Sequence, residues 1–117
     1  MIRGFQEYLG RHMALTEEEQ LQLSELAEVR SYDKKVRVTD IGEIDQHLNY
    51  VVRGLVRKFF VKGKEEVIKQ ISKEGTLVSS YVSYFSQVPS GYVVETLEPT
   101  ILVSISFQNF ESLFQSS

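Results

Sequence analysis

The side chains that could do chemistry are few, and their spacing limits the chemistry. His12 and His47 are the 2 histidines of the 117-residue sequence, and cysteine is absent. His12 falls in a leading helical pattern and His47 at the start of a strand pattern. A metal needs ligands converging from neighbouring elements, so this separation predicts no metal site. Acid–base catalysis needs two carboxylates facing one cleft. Glu43 and Asp45 lie in a turn and Glu95 and Glu98 frame a strand, so no such pair stands out. No Gly-x-Ser-x-Gly nucleophile elbow occurs. The expectation is a chain that is not an enzyme, with no catalytic residues.

What remains are groups suited to binding. From Ser79-Ser80 to Gly91 the chain interleaves serines with Tyr81, Tyr84 and Phe85, and Tyr92 follows. The rings could stack on a base, line an apolar cavity, or simply fill the interior. The serines could bond a ligand or cap a short helix from Tyr81 to Phe85. Charge is lopsided: all 13 Lys and Arg lie in residues 1–73, so this segment has no cation of its own. Arg53, Arg57, Lys58 and Lys62 belong to a hairpin whose inward face the alternation leaves ambiguous, and they read as solvated hairpin charge.

Composition bounds the rest. A chain of this length makes one domain with room for a real core. The 42% hydrophobic and 25% charged residues are ordinary for a globular fold. A formal charge of -3 argues against direct nucleic-acid contact, which calls for a basic face. No apolar run approaches the roughly 20 residues that cross a bilayer. The first residues lack the apolar stretch of a secretory signal. These features, with the absence of cysteine, predict a cytoplasmic domain that does not contact membrane.

The elements follow from hydrophobic period. Ile2, Phe5, Leu9 and Met13 recur at helical spacing. Thr16 with Glu19 fits a capping box, Glu17 and Glu18 suit the positive end of the dipole, and Leu23, Leu26 and Ala27 supply the buried stripe. From Val29 the period becomes two. Val36 and Val38, then Leu48, Tyr50 and Val52, then Leu55–Val61 and Val67–Ile71 predict strands. Turns fall at Ile41-Gly42-Glu43, Arg53-Gly54 and Lys62-Gly63-Lys64-Glu65. Tyr92–Leu97 and Thr100–Ser106 read as final strands, and Phe107, Phe110, Leu113 and Phe114 return to helical spacing. Short strands with glycine turns predict a sandwich or barrel.

This order resembles the cyclic-nucleotide-binding domain of the catabolite-activator (Crp/Fnr) superfamily of bacterial transcription regulators. The resemblance covers Leu15 to Phe114 and rests on the joint spacing of Gly42-Glu43, Gly54 and Gly75 with apolar alternation between them. It implies a mainly β fold: a double-stranded β-helix jelly roll, the cyclic-nucleotide-binding-like barrel, with N-terminal helices and a short C-terminal helix. The whole chain, 1–117, is then one sensory domain, with a helical lead-in over 1–28, the jelly roll over 29–106 and the start of the C-terminal helix over 107–117.

The resemblance also implies where a ligand would sit. The family's cassette has a Gly-Glu pair, a short helix, and an Arg-Ser or Arg-Thr before the next strand. Helix-start N–H groups and the arginine hold the cyclic phosphate, and the glutamate accepts from the ribose. Here the Gly-Glu positions read Ser79-Ser80, and the arginine position falls on Ser90 or Gly91. Losing a buried phosphate partner costs roughly 2–5 kcal/mol. The ligand-contact set implied is Ser79, Ser80, Tyr81, Ser90, Gly91 and Tyr92, with no cofactor expected and cyclic nucleotide disfavoured for want of a cation. The family continues into a dimerisation helix and a winged helix-turn-helix. The residues given end at Ser117, so the expectation is a sensory domain of a Crp/Fnr-type transcription regulator with a degenerate nucleotide pocket and no DNA-binding half in this chain. It would form a homodimer and answer to a small-molecule effector. A nucleotide-binding domain with atypical phosphate contacts and a dimerisation module without ligand are the alternatives. The apolar side of the last helix either meets a second subunit or docks internally near Ile2 and Phe5.

Overall fold

The helical spacing of Ile2, Phe5 and Leu9 forms α1 (Ile2–His12) in the computed structural model, which describes residues 1–115. Phe5 and Leu9 are buried. Gly4 permits close approach, since a Cβ there would lie 2.7 Å from the Tyr50 hydroxyl. Helix α2 (Glu17–Leu26) opens with the expected capping box. Thr16 Oγ1 accepts from Glu19 N–H at 3.1 Å, and the Glu19 carboxylate accepts from Thr16 N–H at 2.9 Å.

The period-two region gives β1 (Glu28–Tyr32), β2 (Arg37–Thr39), β3 (His47–Arg53), β4 (Val56–Lys62), β5 (Glu65–Ser72) and the two-residue β6 (Leu77–Val78). A short helix, α3 (Tyr81–Ser86), leads to β7 (Val93–Thr96) and β8 (Thr100–Ser106), and α4 (Phe107–Gln115) follows directly. Gly54 turns β3 into β4 with φ 113, and a Cβ there would also press on the Pro99 carbonyl oxygen at 2.8 Å. Only glycine suits that turn. Residues 116 and 117 of the expected C-terminal segment lie outside the described residues.

The mainly β closed barrel expected from the sequence is not what forms. Among the described residues the strands divide into two antiparallel four-stranded sheets, β1-β8-β3-β6 and β2-β7-β4-β5, and with four helices the domain is mixed α/β. The reason is visible at the seams. Where β5 could ladder onto β6, side chains make the join instead: Gln70 Nε2 and Ser72 Oγ both donate to Leu77 O, at 2.9 and 3.2 Å. At the other seam Thr96 Oγ1 donates to Asp33 O at 2.6 Å and accepts from Val36 N–H at 2.9 Å. Side-chain bridges tie the edges of the two sheets, and at Thr96 backbone bonds to Val36 O and from Lys35 N–H stand beside them.

The result has three layers. Helices cover one face of the first sheet, where Phe5, Leu9 and Leu23 pack on Leu48, Val103 and Ile105. Its other face meets the second sheet through Val51, Val56, Val78, Val94 and Leu102. The first sheet is therefore covered on both faces, and in β8 all but Ile101 and Ser106 are buried. Helix α4 docks internally. Leu113 is buried, and Phe107 and Phe110 pack against the cluster that holds Phe5, as Ile2 does.

Candidate ligand-binding site

The inner faces of the two sheets are not wholly apolar. On β3, Asn49 points the same way as Val51 and is fully buried; on β8, Ser104 does the same. Ser104 Oγ donates to Asn49 Oδ1 at 2.7 Å, while Asn49 Nδ2 donates to Val78 O at 3.1 Å. Ser79 extends the network, its hydroxyl accepting from Asn49 N–H at 3.1 Å and lying 3.0 Å from His47 O. Strand β4 contributes a cation. Its residues Val56 and Lys58 are buried, and Lys58 keeps only 9% exposure. The Lys58 ammonium donates to Ser79 O at 3.1 Å and stands 4.3 Å from the centroid of the Tyr81 ring and 5.4 Å from that of Tyr92.

The loop between β2 and β3 contributes the anion. Asp45 is 1% exposed. Its Oδ2 accepts from Ser80 N–H at 2.8 Å and its Oδ1 from His47 N–H at 3.1 Å. Burial raises its pKa, against the hydrogen bonds from Ser80, His47 and Thr39 and the charge of Arg30. Burial lowers the pKa of Lys58, and the charge of Asp45 opposes that shift.

The sequence-derived ligand residues are thus placed unequally. Ser79, Ser80 and Ser90 are all buried. Ser90 Oγ lies 2.8 Å from Ser80 Oγ and accepts from Tyr92 N–H at 3.0 Å. Ser80 occupies the N-cap position of α3, yet its side chain makes no cap bond. The hydroxyls tie the cassette together rather than cap its helix. Tyr81 and Tyr92 are half-buried and converge on Lys58. Gly91 is exposed, with nothing within 4 Å of a Cβ built there. Of the other aromatics, Tyr84 is fully buried and donates to Ile105 O at 3.1 Å. Tyr81 and Phe85 help line an apolar cavity of about 440 Å³ on the helix side of the first sheet, with Tyr8, Leu9, Leu48 and Phe110.

Two site residues escaped the sequence reading. Asp45 sits in an irregular loop where no period applies. Lys58 reads in sequence as one of the solvated hairpin charges, a description that fits Arg53 and Lys62, both exposed, but not Lys58. Arg57 faces outward, lies over the Phe59 ring at 4.1 Å and pairs with Glu95 at 2.7 Å and Glu66 at 3.0 Å. The sequence signal for Lys58 is its parity with Val56 across Arg57, which pairs the two without saying which face they take.

His12 and His47 stay on separate elements, α1 and β3. No group of three or more His, Asp or Glu gathers among the described residues. No helix among those residues is long and apolar enough to cross a membrane.

No protein-family model matches the chain, and no curated protein matches it. Solved structures do. The regulatory domain of Toxoplasma gondii PKA, described as a co-crystal with cAMP, superposes with TM-score 0.80 at 14% identity, over 97% of this chain and 46% of that one. The Thermus thermophilus catabolite activator protein gives 0.76 at 24% identity, over 87% and 48%. The sensor domain of the transcriptional regulator DNR from Pseudomonas aeruginosa gives 0.75 at 20% identity, over 98% and 81%. The chain spans about half the length of the first two. It has a cyclic-nucleotide-binding-like fold, shared with PKA regulatory domains, a catabolite activator and a sensor domain alike, and this likeness does not single out the Crp/Fnr superfamily. These solved structures are a regulatory domain, an activator and a sensor domain.

The expectation of no cofactor, with cyclic nucleotide disfavoured, does not stand. The fold is one that carries cAMP in the T. gondii domain. The premise of a cassette without a cation also fails, because Lys58 reaches it from β4.

Proposed function

We propose that this domain is the sensory part of a transcription regulator of the Crp/Fnr type and that it binds a small-molecule effector at the α3 cassette. The pocket is degenerate with respect to the Gly-Glu and arginine pattern, since Ser79-Ser80 and Ser90 stand there. The ligand contacts are Tyr81 and Tyr92, with Lys58 between them, and Ser79, Ser80, Ser90 and Gly91 form the frame. The cAMP of the T. gondii domain makes cyclic nucleotides the first effectors to test.

One observation carries this reading: the cassette is wired to the last helix. Helix α3 begins immediately after the Ser79–Ser80 peptide that Lys58 and Asp45 hold. Its Tyr84 ring meets Phe107 at 5.8 Å and Phe110 at 6.0 Å, and Phe85 meets Phe110 at 5.7 Å. A ligand that shifts the Ser79–Ser80 peptide therefore shifts the seat of α4. Aromatic packing of this kind has few intermediate arrangements, which suits a switch between states.

Titration of isotope-labelled protein with cAMP and cGMP tests it. The expected result is saturable change in the backbone resonances of Ser79, Ser80 and Tyr92 together with Phe107 and Phe110. Saturable change at the cassette with α4 silent would reject the coupling, and no saturable change at millimolar nucleotide would reject the ligand site.

A further inference from the structure

Lys58 is a buried cation outside any ion pair, with the charge of Asp45 acting on it only from a distance. An ammonium has three N–H donors, and the Lys58 group makes one hydrogen bond, to Ser79 O. Among the described residues none of the ion pairs includes it. The Tyr81 and Tyr92 rings take the place of oxygen acceptors, and cation–π attraction offsets only part of the cost of desolvating a charge. Asp45, the carboxylate whose charge acts on Lys58, has its oxygens committed to Ser80 N–H and His47 N–H across the Ser79–Ser80 peptide. A hydrophobic residue would fill this inward position of β4 more stably, as Val56 does one pleat away. Retaining a charge that no carboxylate pairs in a packed interior points to a use for it.

We infer that Lys58 is the anion-recognising residue of this domain, taking the negatively charged group of a ligand whose aromatic ring stacks on Tyr81 or Tyr92. The inference rests on the ligand-binding reading above and deepens it by naming ligand class and contact. Several features define the class. Both tyrosines are half-buried, so their rings reach solvent and can exchange a contact with the ammonium for one with an incoming ring. Phe60 meets Tyr92 edge-on at 6.1 Å and extends the aromatic wall. A single ammonium suits one phosphodiester or carboxylate charge rather than a polyphosphate. The ligand is therefore a planar ring joined to a monoanion. The donor comes from β4 rather than from the segment before β7, which explains how Ser90 and Gly91 can lack a cation in a working site.

The test uses calorimetric titration of the full chain with cAMP and cGMP, with adenosine and guanosine as uncharged counterparts. Wild type, Lys58→Met and Lys58→Arg are compared, with thermal melts of each without ligand. Wild type should bind at least one cyclic nucleotide about 30-fold or more tightly than its nucleoside, and Lys58→Met should erase that difference. Lys58→Arg, which keeps the charge, should keep part of it. Ligand-free Lys58→Met should melt no lower than wild type, an outcome a purely structural lysine would not give. Cyclic nucleotide bound equally well by wild type and Lys58→Met would overturn the role of Lys58 while leaving the ligand site intact. Equal affinity of wild type for nucleotide and nucleoside would overturn it too. Failure of nucleotides and nucleosides alike to bind wild type would overturn the ligand-binding reading itself, and this inference with it.

Discussion

Lys58 and Asp45 hold the two ends of one peptide group. The Lys58 ammonium donates to the carbonyl oxygen of Ser79 at 3.1 Å, and the Asp45 carboxylate accepts from the N–H of Ser80 at 2.8 Å. Cation at the oxygen and anion at the N–H both align with the peptide dipole, so the pair fixes the orientation of the chain where β6 passes into α3. Both charges are buried, which strengthens the hydrogen bonds that they make.

Asp45→Ala removes the acceptor of two backbone N–H groups, and a loss of about 2–3 kcal/mol of stability is expected, with Asp45→Asn losing less because it keeps one acceptor oxygen. The pH dependence has a definite sign. The folded pKa of Asp45 is raised, so its contribution is fully present below the unfolded value of 3.8 and is lost as pH rises through the folded value. Urea denaturation of wild type and Asp45→Asn should show the wild-type advantage shrinking as pH rises from 3.8 through the folded pKa. An advantage that grows over that window would contradict it.

His47 should titrate below 6.5 in the folded protein. Burial is the largest cause and Arg30 adds to it, while Glu28, 4.0 Å from Nε2, works the other way. The contribution of His47 to stability is therefore present above 6.5 and lost as pH falls through its folded pKa. Imidazole resonances followed by NMR give the value directly. Arg30→Gln should raise it and Glu28→Gln should lower it further.

The α4 side chains act inside the domain. Phe110→Asp places a charge against Tyr84, Phe85 and Phe114, and a loss of roughly 3 kcal/mol or more is expected. Light scattering across a concentration series, read beside the melting curves, separates two cases. A dimer built on this face would fall to monomer mass with stability nearly kept, whereas the internal dock loses stability with mass unchanged.

Arginine at the two alignments of the family's cationic position should behave oppositely. Gly91→Arg meets open space and should melt within about 0.5 kcal/mol of wild type. Ser90→Arg breaks the Ser80–Ser90–Tyr92 bridge at a site of 3% exposure and should cost about 2 kcal/mol or more. Comparable melting of the two variants would mean the cassette is looser than its hydrogen bonds indicate.

The sequence by itself determined the local elements. Ile2, Phe5 and Leu9 wrote α1, Thr16 and Glu19 wrote the start of α2, Gly54 wrote its turn, and Thr100–Ser106 and Phe107–Phe114 wrote the last strand and helix. Each of these signals is a relation between residues a few positions apart, which period and capping chemistry register. Tertiary structure alone decided that the strands form two open sheets, because the seams depend on Gln70, Ser72 and Thr96 reaching backbone groups of elements that only folding brings alongside. It also decided which way Lys58 points. Alternation separates Val56 and Lys58 from Arg57 but does not say which set faces the other sheet, and the neighbouring Leu55, Phe59 and Phe60 blur the contrast. Asp45 was beyond reach for a different reason: a loop residue has no period, and its burial comes from Ser80 and Ser83, more than thirty residues on.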